Sequence, residues 1–168
     1  MDPNTLALVI AVFAILISGI SLILVNQKLK RTTKEISPFD TKPLQLQAYE
    51  RLVMLTERIA LPNLVSRVSK SGMGAKDMQL LLLESVKQEY EYNATQQIYV
   101  SPVAWEAVHN LKEQNLLIIN KVASTLPEGA TGLELNKRLL EFVLNNPKGT
   151  LHSIVLEALN YEAKKLMR

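Results

Sequence analysis

One uninterrupted apolar run, residues 6–25, constrains this chain more than any other feature: it holds no charged residue, no Asn, no Gln and no Pro. Twenty residues in a helix, at about 1.5 Å each, reach about 30 Å, the thickness of a bilayer's hydrocarbon core. A buried core helix is the competing reading, but such helices are usually shorter and carry some polar residues. The flanks orient the span. No Lys or Arg precedes it, whereas Lys28, Lys30, Arg31 and Lys34 follow within ten positions of Val25. Positive charge is retained on the cytoplasmic side, so the expectation is a single-pass helix with its N-terminus out and its C-terminal part inside. A cleaved signal peptide has the opposite order of charge, although Ser18-Gly19-Ile20-Ser21 faintly imitates a cleavage site.

Within the run, Ala7, Ala11, Ala14, Ser18 and Ser21 are spaced 4-3-4-3. That spacing lays small residues along one stripe of a helix, where a second helix can approach closely and a Ser hydroxyl can bridge. The stripe predicts packing against a partner's membrane helix or a second copy. The competing reading is chance, since Ala and Ser are common in membrane helices. The basic residues after the run either anchor topology or also meet anionic headgroups, at about 1 kcal/mol per close cation.

Charge elsewhere is balanced. Five of the 19 basic residues and three of the 16 acidic ones precede Leu44, which leaves 14 basic against 13 acidic beyond it. The high isoelectric point therefore reflects the flank of the apolar run rather than a nucleic-acid surface. The chain has no Cys, so disulfides and thiolate metal sites are excluded.

Beyond a polar linker at residues 32–43, prolines and glycines cut residues 44–168 into helical segments, and no stretch alternates with period two long enough to argue a sheet. Residues 44–60 carry the stripe Leu44, Ala48, Leu52, Leu55, Ile59, and Leu61-Pro62 is expected to break it. A short helix at 63–69 follows, then the turn Ser71-Gly72-Met73-Gly74. Asp77 reads as the N-cap of a helix to about Asn93. Its four consecutive leucines, Leu80 to Leu83, cover more than one face and predict a central position, with a solvated second half. Ser101-Pro102 is an N-cap followed by proline at the first helical position, flanked by Val100 and Trp105 as a hydrophobic staple. That helix runs to about Ser124 with Asn115 interrupting the stripe Ala104, Val108, Leu111, Ile118, Val122. Asn115 either fixes register in the core or marks its wet end. Thr131-Gly132-Leu133-Glu134 fits a capping box. The last helix is expected from Thr150, burying Leu151, Ile154, Val155, Ala158 and Leu159. The fold class expected is all-α: one membrane helix (1–31 with its flank), then a bundle of five main helices and one short one.

Chemistry-bearing residues are sparse. His109 and His152 are the only histidines. Glu106 and Glu113 flank His109 at helical spacing, which suits a surface ion pair better than a metal site, since zinc usually takes three or more protein ligands. Lys148-Gly149-Thr150 lacks the glycine and residue order of a phosphate loop. No cofactor, metal or catalytic constellation is expected. Tyr90, Tyr92 and Tyr99 stand out as a candidate interaction surface, because tyrosine is favoured at interfaces, against the plainer reading that they pack on the bundle.

Leu46-Gln47-Ala48-Tyr49-Glu50-Arg51-Leu52, Thr56-Glu57-Arg58-Ile59, Tyr90-Glu91-Tyr92-Asn93 and Gln96-Gln97-Ile98-Tyr99-Val100-Ser101-Pro102-Val103-Ala104-Trp105 resemble a family of uncharacterised Bacteroidota proteins with one N-terminal membrane helix and a small helical cytoplasmic domain. The resemblance covers roughly residues 44–125. It implies a bacterial inner-membrane setting and carries no activity.

The function expected is a non-enzymatic membrane-anchored interaction or scaffold protein, an accessory subunit whose partners are membrane lipids and another membrane protein or a second copy. No nucleic acid and no small-molecule substrate is expected. Two alternatives stay open. One is a membrane-tethered enzyme, which a polar pocket gathering a carboxylate with a His would favour. The other is a lipid-surface sensor working through Lys28 to Lys34.

Overall fold

Among the described residues, five of the six α-helix starts are set by prolines, polar caps or one loop-to-loop pairing. A computed structural model describes residues 40–146 and 151–168, together with Ser21 and Val25, which are helical and exposed. The chain divides into two units, residues 1–40 and 41–168. The expected membrane helix, the stripe residues Ala7, Ala11, Ala14 and Ser18, and the basic residues Lys28, Lys30, Arg31 and Lys34 lie outside the described residues. Among the described residues no helix is long and apolar enough to cross a membrane.

The second unit is all-α. Its helices are α1 (Lys42–Ile59), α2 (Leu61–Val68), α3 (Ala75–Tyr92), α4 (Pro102–Ala123), α5 (Gly132–Asn145) and α6 (His152–Leu166), with a 3-10 turn at Ala94–Ile98 between α3 and α4. The five long helices and one short helix match the expectation. Four local readings need correction. Pro43 sits in the first turn of α1, where the missing N–H costs nothing, so the helix begins two residues before Leu44. Pro62 does the same for α2; the break is at Ala60, whose ψ of 126° turns the chain before the proline.

Asp77 is not an N-cap. The cap position is Gly74, in extended conformation, and Asp77 lies in the first turn of α3. The reason is the facing loop. Ala75 N–H donates to the Ala130 carbonyl at 2.9 Å, and Gly132 N–H donates to the Met73 carbonyl at 2.8 Å. The start of α3 and the start of α5 thus satisfy each other's orphan backbone groups. Asp77 keeps a favourable place near the positive end of the helix dipole.

The fourth correction is Ile154, which is 59% exposed rather than in the core. The inward face of α6 is set by Val155 and Leu159, both buried, with Ala163 and Leu166 packed against the core.

Helix α3 contacts α1, α2, α4 and α5, the central position that the leucine run implied. Leu82 is fully buried and Leu80 half exposed, as a helix turning 100° per residue requires. Its second half is solvated on one side only: Val86 and Asn93 are buried, while Gln88, Glu91 and Tyr92 are exposed. The core gathers Leu52, Leu55, Ile59, Leu64, Met78, Leu82, Leu111, Ile119, Leu135, Leu139 and Leu159, all fully buried. Truncating any one to Ala would cost about 2–5 kcal/mol.

Candidate functional site

Tyr49 lies on the apolar stripe of α1 and is almost fully buried, yet its hydroxyl is used twice. It donates to Glu162 Oε2 at 2.5 Å and accepts from the Ser101 N–H at 3.1 Å. The Ser101 side chain in turn caps α4, its Oγ accepting from the Ala104 N–H at 3.0 Å. One phenol therefore ties α1, the start of α4 and α6 together. Burial pushes the Tyr49 hydroxyl above its ordinary pKa, and the bond to Glu162 pushes it further.

Above Tyr49 opens a groove of about 680 Å³ between α1, the 3-10 turn and α6, bounded by Lys42, Tyr99, Tyr161 and Lys165. Its rim is apolar and wet: Ile98 and Tyr161 line it and are 73% and 71% exposed. Tyr161, Lys164 and Lys165 fall at helical spacing on one face at the end of α6, and all three are exposed. The groove thus combines large apolar side chains left in water with a cationic border.

The three tyrosines expected to form one surface are distributed over three places. Tyr90 packs inward from α3. Its ring lies 5.0 Å from that of Trp105, its hydroxyl is 3.1 Å from His109 Nδ1, and Lys112 Nζ sits 4.5 Å above the ring, a cation–π contact. Burial, then the Glu113 carboxylate, raises its pKa. Tyr92 is exposed and borders a separate cleft of about 650 Å³ with Arg51, Met54 and Arg58. Only Tyr99 lines the groove over Tyr49. Beside Tyr90, Glu113 pairs with Lys112 at 2.6 Å, which holds its carboxyl below the usual range, and lies 3.9 Å from His109.

Sequence reading missed the groove and also a three-residue ion cluster. Arg58 grips Glu89 with two nitrogens at 2.8 and 2.6 Å, and Arg67 reaches the same carboxylate at 3.0 Å. Nothing in the spacing of these residues announced it, because each stands on a different helix. The groove left a fainter trace, since Ile98, which lines it, is an apolar residue off every helical stripe. Among the described residues no group of three His, Asp or Glu side chains is placed to hold a metal ion.

These features define a small all-α domain that presents a cation-bordered apolar groove. The chain belongs to a family of unknown function, DUF7935, whose model matches residues 4–166. That match takes in both the N-terminal segment and nearly all of the bundle. No curated protein and no solved structure matches the chain.

Proposed function

We propose that this protein is a non-enzymatic, membrane-anchored interaction module, an accessory subunit of a bacterial inner-membrane complex. The apolar run 6–25 holds it in the bilayer with the N-terminus out, and the helical bundle works on the cytoplasmic side. The observation that carries the docking role is the groove over Tyr49. Ile98 and Tyr161 keep most of their surface in water, which a domain with a complete core of its own does not require. The border of Lys42 and Lys165, continued along α6 by Lys164, selects an acidic amphipathic segment of a membrane-protein partner.

A photo-crosslinking amino acid at Tyr161 in native membranes tests this, with Glu141 on α5 as the control position. A discrete protein adduct at Tyr161, absent at Glu141 and lost with Ile98→Asp, supports the reading. Adducts to lipid alone would replace the protein partner with the membrane surface, and the lipid-sensor alternative would then stand.

A second reading, a membrane-tethered enzyme, draws on one observation: Glu57 and His152 line a common cavity. Two such groups fit acid–base work, and turnover lost in both Glu57→Gln and His152→Gln would support it.

A further inference from the structure

A cavity of about 270 Å³ lies where α1 gives way to α2, on the side facing α4, α5 and the start of α6. It shares no lining residue with the groove over Tyr49, and it holds the Glu57 and His152 pair of the enzyme alternative without depending on turnover there. Its walls are of two kinds. Leu61, Pro62 and Val143 supply an apolar side, and Glu57, Asn115 and His152 supply a polar one.

The polar side is biased toward acceptance. Asn115 is 2% exposed, and its Nδ2 donates to the Ile59 carbonyl at 2.8 Å. That bond fixes the amide, and Oδ1 receives no hydrogen bond among the described residues. The Glu57 carboxylate accepts from Asn63 Nδ2 at 3.1 Å, which holds it in place and leaves further lone pairs open. Nε2 of His152 is buried and has no hydrogen-bond partner. It stands 3.5 Å from Glu57 Oε2, beyond the range of a charge-assisted hydrogen bond. A buried nitrogen without a partner is uncommon and calls for an explanation.

We infer that the cavity is a binding site for a small organic ammonium, a primary amine with a short apolar body. The NH₃⁺ group has three donors and no acceptor. It sits among the Glu57 carboxylate, the Asn115 oxygen and His152 Nε2, and supplies the partner that Nε2 lacks. The hydrocarbon tail lies against Leu61, Pro62 and Val143. The arrangement disfavours an anion, because Glu57 and the Asn115 oxygen would both oppose it. It disfavours a neutral alcohol, which brings one donor where three acceptors wait.

The test is an NMR titration of the full-length protein in detergent, labelled at the methyl groups of Leu and Val. The probe is n-butylammonium, with n-butanol of the same shape as the neutral control. A ligand this small binds on the order of millimolar. The expected result is saturable shifts at Leu61 and Val143 with butylammonium, weakened about tenfold for Glu57→Gln and for His152→Phe, and none with n-butanol. Glu57→Gln keeps the acceptor used by Asn63, so its spectrum elsewhere and its melting temperature should match the parent. A His152 variant that loses the native spectrum leaves Glu57→Gln to decide. Equal shifts with butanol, no loss in Glu57→Gln, or no saturable shift at all would overturn the assignment. So would zinc chloride perturbing the same methyls at micromolar concentration, which would make the site metal-binding.

Discussion

The side-chain nitrogen of Asn115, in the middle of α4, donates to the main-chain carbonyl of Ile59 at the end of α1, 56 residues away in sequence, at 2.8 Å. Ile59 is the last residue of α1, and Ala60 turns away before α2 begins. A helix ending inside the core leaves carbonyls that no further turn can satisfy, and Ile59 is fully buried. Asn115 fills that need. Replacing it with Leu, of similar volume, leaves a buried carbonyl without a donor and should lower stability by about 1–3 kcal/mol. Urea denaturation followed by circular dichroism measures this. A change below about 0.5 kcal/mol would show that the Ile59 carbonyl finds another donor.

Tyr49 serves the same purpose at the other end of the bundle, and its loss is testable by a single atom. Tyr49→Phe keeps the ring and removes the oxygen that links Ser101 to Glu162. The cost should be about 1–2 kcal/mol. The variant also changes behaviour at high pH. The folded state raises the Tyr49 pKa above that of the unfolded chain. Its contribution is therefore fully present below the unfolded value of about 10 and fades as pH rises through the folded value. The stability gap between parent and variant should hold constant from neutral pH and narrow in alkali. A gap that widens in alkali would contradict the assignment.

The pairing of loops at the starts of α3 and α5 explains why Gly132 is a glycine. A Cβ there would meet Met78 Cβ at 3.0 Å and the Met73 carbonyl at 3.2 Å. Its backbone angle is not the issue, since only Gly72 and Gly129 among the described glycines have positive φ. Gly132→Ala should destabilise by about 1–3 kcal/mol through overpacking, although alanine is the better helix former. Met78→Gly in the same chain would remove the Cβ that makes the closest contact, so the double variant should cost less than the sum of the two single ones. Additive costs would mean that the two sites do not touch.

How far the sequence could be read depended on whether a signal was local. The capping box at Thr131 and Glu134 and the N-cap at Ser101 were legible because donor and acceptor lie three residues apart, and both form as expected. The stripe of α4 was equally plain. Misreadings arose where a partner distant in sequence decided the outcome. Asp77 has the right residue type for a cap, but the loop before α5 already satisfies those backbone groups. Ile154 continued an apolar pattern, yet Val155 and Leu159 fix the rotation of α6 and turn Ile154 outward. The groove over Tyr49 and the cavity beside Asn115 were illegible for the same reason. Each assembles residues from three or more elements, and Tyr49 with Glu162 spans 113 positions. The tyrosines drew notice by composition alone, which carries no information on which way each one faces.

The capping box also makes a prediction about acid. Glu134 accepts from the Thr131 N–H at 2.7 Å and from the Thr131 hydroxyl at 2.9 Å, and the backbone bond is the larger cause of a pKa held below that of an ordinary glutamate. A carboxyl whose folded pKa is depressed stabilises the fold above its unfolded value, about 4.3. That contribution is lost as pH falls through the folded value. Glu134→Gln keeps an acceptor of the same shape but cannot titrate. The variant should melt below the parent at pH 7, and the difference should shrink as pH drops from 5 toward 3. Thr131→Ala removes the hydroxyl but leaves the backbone N–H, so it should retain part of the pH dependence. Thermal melts of the three proteins across that range decide the matter, and a difference between parent and Glu134→Gln that stays flat down to pH 3 would mean the carboxylate charge contributes nothing to the cap.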